Sequence, residues 1–363
     1  MWSRIITETA AATAAATNYN GKLMRAAVFT ESGLMPTVQE VATPVPGPGE
    51  VLIKVAACGV CHTDLHYIEH GIPTVKPPPI ILGHEASGIV AALGEGVEGP
   101  EEGARVLVPA VVTCGKCSFC REGRENICRS MVMFGNHVDG AYAEYFLAPA
   151  KDIFVLPESV PLVEGAVIAD AVSTPYHAVV NRGKVRPGDV VVVFGCGGVG
   201  INAIQIAATV GAHVVAVDIS DKKLEWAKHF GASECVNASE HPRVSKVIRK
   251  LTGGGADVVF EVIGRPETIE SAFDCVRAGG RLVVVGYTDK PVNLSAAKIM
   301  FREMEVVGSL GCRCVDYPRI IQMCADGLIK VDEIVTHQFA LENLADAFAV
   351  MKNGESLRSV VIP

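Results

Sequence analysis

Apolar and polar positions alternate along this chain in two registers, and the change of register marks its organisation. Val190-Val191-Val192-Val193-Phe194 is an unbroken apolar run that ends in Gly195-Cys196-Gly197-Gly198-Val199-Gly200. Over 201–210 the apolar positions then recur at helical spacing, and His213-Val214-Val215-Ala216-Val217 is a second apolar run ending at Asp218. This order predicts strand, glycine turn, helix, strand, with both strands buried on two faces. Downstream, 221–228 predicts an amphipathic helix ending at Gly231, and strands at 258–262, 282–285 and 306–309 alternate with helical stretches, the pattern of a doubly wound parallel sheet.

Upstream the runs are shorter. From Met24, apolar segments at 26–29 and 50–55 are separated by a turn at 31–33 and a Pro/Gly-rich stretch at 44–49, and 140–145 returns the chain to strand. Residues 164–178 predict one long helical connection into the second domain, 320–327 and 341–351 predict helices, and Val360-Val361 a strand returning to the first domain. Residues 1–22 are rich in Ala and Thr, which predicts a disordered extension. An organelle-targeting peptide is the alternative, disfavoured by Glu8 and by Arg4 as the segment's sole arginine.

The glycine turn has a mechanical reading. Gly195 permits the tight turn, Gly197 lets a pyrophosphate approach the backbone, and Gly200 lets the following helix lie close on the strand; Gly198 and Val199 belong to the same cofactor turn. The helix N-terminus offers free N–H groups and a positive dipole end to phosphates. Asp218 stands about twenty residues after the last glycine, where a carboxylate accepts hydrogen bonds from ribose hydroxyls and repels a 2′-phosphate. The cofactor expected is therefore NAD.

Composition narrows the partners. With 363 residues the chain is long enough for two domains, and a net charge of −8 with 6% aromatics offers no footprint for nucleic acid. No apolar run is long enough to span a bilayer, so a soluble, cytoplasmic protein is expected. Twelve cysteines, four of them closely spaced, favour metal ligation in a reducing compartment over disulfides. Cys114, Cys117, Cys120 and Cys128 form Cys-x2-Cys-x2-Cys-x7-Cys, enough to close a tetrahedron around a structural zinc with no open position. Cys61 and His84 offer two further zinc donors at strand or loop ends and leave room for a third from elsewhere. Cys312 and Cys314 have no further ligand nearby and read as incidental.

Gly83-His84-Glu85, Gly88, Gly94 and Val97, with Cys61-His62-Thr63-Asp64, resemble the zinc-dependent medium-chain dehydrogenase/reductase superfamily (the zinc alcohol dehydrogenases) over 24–363. The resemblance implies an α/β protein with a mainly β second domain: a GroES-like catalytic domain at 24–173 and 311–363, interrupted by a Rossmann NAD-binding domain at 174–310, behind an extension at 1–23. It implies two zincs per chain. The structural one is held by the four-cysteine lobe. The catalytic one is held by Cys61, His84 and Asp170, with Glu85 as an alternate ligand. Many members carry cysteine where Asp170 stands, and a carboxylate there makes the metal a harder Lewis acid.

The remaining roles are implied in the same way. Thr63 and His66 are the hydroxyl and imidazole of a proton relay, and Asp64 orients the His84 ring. Thr174 and Val199 press on the nicotinamide, Lys223 meets the adenosine ribose, and Arg358 and His62 meet the pyrophosphate. The expected reaction is reversible oxidation of a small alcohol to an aldehyde or ketone by hydride transfer to NAD, in a homodimer or homotetramer that pairs through 304–310. Tyr67, Met131, Phe134 and Phe301 are candidates for the substrate pocket. Segments 170–176 and 135–137 resemble the branch acting on cyclic hydroxyacyl-CoA, so a hydroxyacyl- or enoyl-CoA thioester is an alternative substrate. A non-catalytic zinc-stabilised NAD-binding protein is the alternative from another class. Cys61, Thr63, His66 and His84 argue against it, and against a zinc-free quinone reductase.

Overall fold

Hydrogen bonding of the short upstream segments produces three sheets. The computed structural model describes residues 19–363; the greater part of the extension expected at 1–23 lies outside them. Contacts divide the chain into two compact units: one runs up to Asp170 and resumes over Arg313–Pro363, and the other is Ala171–Cys312.

In the first unit the largest sheet orders its strands Phe154–Val155, Arg105–Val108, Glu85–Leu93, Glu50–Gly59, Arg358–Ile362 and Val335–Ala340, with Tyr145–Pro149 also on Glu50–Gly59. All pairs are antiparallel except Val335–Ala340 with Arg358–Ile362. A three-stranded sheet (Thr37–Ala42, Leu23–Phe29, Ile80–Ile81) and the ribbon Val111–Val112 with Val132–Met133 complete the unit. Its core joins Val28, Ile53, Leu82, Tyr142 and Phe348, all buried. Residues 19–21 form a turn in which Lys22 N–H bonds Tyr19 O at 3.1 Å, and the first strand starts at Leu23.

Tyr142 departs from the strand expected at 140–145, which begins only at Tyr145. The preceding residues run extended against the 81–83 segment instead: Gly140 N–H bonds Ile81 O, Tyr142 N–H bonds Leu82 O, and Ala141 N–H bonds Gly83 O. The helical connection expected at 164–178 is also corrected. It is a 3-10 helix over Glu164–Ala169, a break at Asp170 (φ −141°, ψ −55°), one α turn at Ser173–Tyr176 and a π helix over His177–Gly183. Apolar spacing does not register such a break, because buried residues line both sides of it: Ala166 to Ala169 before, Ala171 to Ser173 after.

In the second unit six parallel strands lie in the order Glu234–Asn237, His213–Asp218, Val190–Phe194, Ala256–Glu261, Val276–Val284, Glu305–Gly308. The order steps outward in both directions from Val190–Phe194, the doubly wound arrangement the alternating pattern predicts. Helices Gly198–Val210, Asp221–His229, Val244–Leu251 and Pro266–Cys275 connect the strands. Glu305–Gly308 is an edge strand.

Among the described residues no helix is long and apolar enough to cross a membrane. A Cβ on Gly200 would stand 1.7 Å from Gly195 O. Gly200→Ala is expected to lose about 1–3 kcal/mol through forced backbone displacement, read as a lowered urea midpoint. An unchanged midpoint would show that the turn opens without cost.

Candidate active site

Three strand ends of the first unit meet where the sheet places Gly59 opposite both Glu85 and Val360. Cys61 follows Gly59 by two residues, His84 precedes Glu85 by one, and Arg358 begins the third strand. Cys61 and Arg358 stand 24 and 273 positions from Glu85 in sequence, yet the register brings all three to one point. Gly59 makes the junction possible, since a Cβ there would stand 2.3 Å from Glu85 Oε2. Asp170 arrives at the break after the 3-10 helix.

Single donor atoms of Cys61, His84, Glu85 and Asp170 all lie within 4.8 Å of one another. His84 Nε2 is 3.7 Å and Cys61 Sγ 3.8 Å from Asp170 Oδ2. These are close to the separations of about 3.3–3.8 Å that zinc imposes on tetrahedral N, O and S donors. Neither His84 nitrogen has a hydrogen-bond partner, nor does Glu85 Oε2, although both residues are buried. Buried polar atoms are seldom left so, and the donor set suits a zinc ion.

Behind the site, His84 Nδ1 faces Asp64 Oδ1 at 3.5 Å, and the buried Tyr142 hydroxyl donates to Asp64 Oδ2 at 2.8 Å. Burial by itself would drive the His84 imidazolium to lose its proton, but Asp64, Asp170 and Cys61 more than offset this and raise its pKa well above the ordinary value. Glu85 and Arg358 form a buried ion pair. Burial pushes the Glu85 carboxyl up, and the Arg358 charge opposes that shift.

The helix His62–Ile68 follows directly, with Cys61 at its N-cap. Thr63 Oγ1 lies 3.6 Å from Cys61 Sγ, and His66 stands one turn further along, half-buried. His62, on the same helix, is exposed.

The four lobe cysteines also come together. Sγ–Sγ distances are 3.4 Å for Cys114–Cys128, 3.5 Å for Cys117–Cys120, and 3.9 Å for Cys114–Cys120 and Cys117–Cys128. A disulfide needs about 2.05 Å, whereas tetrahedral zinc–thiolate bonds of about 2.3 Å set sulfurs roughly 3.8 Å apart. Backbone N–H groups of Cys120 and Arg129 draw the Cys117 thiol down to about 6, while burial and then Cys117 push Cys120 up to about 12. The N–H groups of Cys117 and Ser130 point at lobe sulfurs, at 3.4 and 3.3 Å. The backbone N–H groups favour the thiolate at Cys114 and Cys117, and the spacing of the four sulfurs suits a zinc ion.

In the second unit Gly195 has φ +98°, and a Cβ on Gly197 would meet nothing within 4 Å, leaving that face of the turn open. Gly198 and Val199 begin the helix Gly198–Val210. Asp218 Oδ2 accepts from Cys196 N–H at 2.7 Å, and Oδ1 accepts from Ile219 and Ser220 N–H at 2.8 and 3.0 Å. Backbone thus takes three of the about four acceptor positions of a carboxylate. Lys223 is half-buried on the helix Asp221–His229, its charge reaching the Cys196 thiol, and Thr174 is half-buried in Ser173–Tyr176.

Arg358, expected at a pyrophosphate, is 6% exposed and turned onto Glu85. Of the pocket candidates, Phe134 is buried in the first unit's core and Phe301 is 80% exposed in the second. Tyr67 is buried, and its hydroxyl accepts from Asn136 at 2.6 Å; Met131 is half-buried. Tyr142 was not among the residues expected at the site. Its position beside Asp64 depends on the 140–143 segment crossing the 81–83 loop, which leaves no trace in spacing.

Arg358→Ala is expected to leave the Glu85 charge without its counterion and to lower stability by about 3–5 kcal/mol, measured by chemical unfolding. A loss near zero would mean that Glu85 is protonated in the folded chain.

Comparison with known proteins agrees with this arrangement. Residues 47–158 match the family described as alcohol dehydrogenase GroES-like domain, and 198–326 the family described as zinc-binding dehydrogenase. An alcohol dehydrogenase of Moraxella sp. (strain TAE123) is 37% identical over 340 residues, covering 93% of this chain and 99% of that protein. A solved structure of an NAD-dependent alcohol dehydrogenase superposes with a TM-score of 0.88 at 32% identity, covering 94% of this chain and 100% of that one. A zinc-binding dehydrogenase of Sinorhizobium meliloti 1021 bound to NADP gives 0.86 at 32% identity, over 94% of this chain and 100% of that one. The GroES-like and Rossmann architecture, the donor clusters and these likenesses lead to one conclusion: the chain belongs to the zinc-dependent medium-chain dehydrogenase/reductase superfamily and is an oxidoreductase of zinc and nicotinamide chemistry.

Proposed function

We propose that this protein is an NAD-linked alcohol dehydrogenase that oxidises an alcohol reversibly to an aldehyde or ketone, with one catalytic and one structural zinc per chain. The observation that carries the reading is the convergence of Cys61, His84 and Asp170 on one point at which both His84 ring nitrogens are buried without a hydrogen-bond partner. Bound zinc polarises the substrate oxygen and lowers the pKa of the hydroxyl, and bound NAD⁺ accepts the hydride.

The chain's residues do the rest. Cys61, His84 and Asp170 would hold the metal by three protein donors and so leave room for the substrate oxygen. Asp64, itself anchored by Tyr142, fixes the His84 ring so that Nε2 faces the metal. Glu85, whose carboxylate belongs to the same donor cluster, would be the alternate ligand. The Thr63 hydroxyl would take the substrate's proton as it releases its own, and His66, one helical turn away, would carry that proton outward. Cys114, Cys117, Cys120 and Cys128 hold the structural zinc, which fixes a loop with few buried apolar residues of its own.

Three features of the second unit support NAD over NADP. The carboxylate of Asp218 is pinned at the glycine turn by three N–H groups. Its negative charge opposes a 2′-phosphate, and its remaining acceptor position suits a ribose hydroxyl. Thr174, Val199 and Lys223 are assigned to the nicotinamide and adenosine ends. His62 and Arg358 are assigned to the pyrophosphate, a role for which Arg358 would have to turn from Glu85.

Two measurements test these assignments. Asp170→Ala is expected to retain one zinc per chain by elemental analysis and to lose at least about a hundredfold in kcat/KM; retention of two tightly held zincs would remove Asp170 from the ligand set. A panel of aliphatic and aromatic alcohols and a cyclic hydroxyacyl-CoA thioester, followed by nicotinamide absorbance, is expected to show turnover of a free alcohol with NAD⁺ favoured at least tenfold over NADP⁺. Faster turnover of the thioester would shift the substrate class, and a preference for NADP⁺ would overturn the role given to Asp218.

A further inference from the structure

Just beyond the helix that carries Thr63 and His66, the chain sets a second imidazole against the first. His66 Nδ1 and His70 Nδ1 are 3.0 Å apart, with ring centroids at 5.2 Å and planes inclined by 44°. Two ring nitrogens at that distance share one proton, one donating and the other accepting. The rings differ in surroundings: His66 is half-buried and His70 is exposed. Between them in sequence, the Glu69 carboxylate is bound to Lys352 Nζ at 2.7 Å. Burial, and then the neighbouring His70 charge, hold the His66 imidazolium below its ordinary pKa, so His66 gives up a proton readily.

We propose that His70 is the outlet of the proton path, taking the proton that reaches His66 and releasing it to bulk water. This rests on the dehydrogenase reading, in which each oxidation of an alcohol sends a hydride to the nicotinamide and liberates one proton. At the pair, the His66 Nδ1–H bond breaks as an Nδ1–H bond to His70 forms. His70, now an imidazolium, loses a proton to water, and solvent exchange restores both tautomers. No electrons move in this step. His70 acts through His66 and touches neither substrate nor metal.

The test compares His70→Ala with His70→Gln in the full-length, zinc-loaded enzyme. Gln keeps an amide able to hydrogen-bond His66 but cannot carry a proton. Stopped-flow mixing with alcohol and NAD⁺ in weak buffer, read by a pH-indicator dye alongside NADH absorbance, is expected to show proton appearance slowed about tenfold or more in both variants. Millimolar imidazole is expected to restore it in both, with zinc content unchanged. Proton release in His70→Ala at the rate of the unmodified enzyme would overturn the proposal. So would normal release in His70→Gln alone, which would make the contact one that merely orients His66. If the unmodified enzyme formed no NADH from any alcohol, the dehydrogenase reading itself would fall, and the outlet with it.

Discussion

Charge buried at the ends of three strands is the constraint around which the first unit is built. Asp64 and Glu85 are fully buried, and the Asp170 carboxylate and Cys61 sulfur stand within reach of His84. Arg358 supplies one buried positive charge against them. An uncompensated buried carboxylate costs several kcal/mol, so this collection of donors is electrostatically suited to a divalent cation. The protein commits acidic and thiol groups to one small volume, and a metal is the partner that makes the commitment favourable.

The sheet provides the rigidity such a site needs. Cys61 and His84 do not sit on independent loops; they are the residues just past and just before hydrogen-bonded strand ends, held in register by Gly59 against Glu85 and Val360. Tyr142 adds a further layer. Its hydroxyl fixes Asp64, and Asp64 faces His84, so a residue outside the donor cluster still bears on the ring within it. The four-cysteine lobe solves a different problem. It has short elements and little apolar burial, so its order must come from sulfur and backbone N–H groups converging on a single point.

In the second unit the decisive contact is between Asp218 and the turn it faces. The carboxylate at the end of one strand accepts the Cys196 N–H at the end of its neighbour, so the acid thought of as a ribose ligand is also a brace for the glycine loop. Replacing the carboxylate would therefore free three backbone N–H groups at the turn.

What could be read from the residues in order was whatever depends on local repetition. The Val190–Phe194 run, the glycines at 195, 197 and 200, and the alternation that follows them specify a doubly wound sheet, because strand burial and turn conformation are short-range properties. The four cysteines marked a candidate metal lobe for the same reason: donors within fifteen residues can be brought together by local turns. Cys61 and His84 could be read as donors from residue type, but Asp170 as their third partner came through family resemblance, since nothing in the separation of the three predicts that they meet. Only the tertiary structure decided that Glu85 pairs with Arg358, 273 residues away, that Tyr142 reaches Asp64, and that the helix expected through Asp170 breaks there. These outcomes are set by strand register and by the crossing of distant segments, which periodicity in one stretch of chain does not encode.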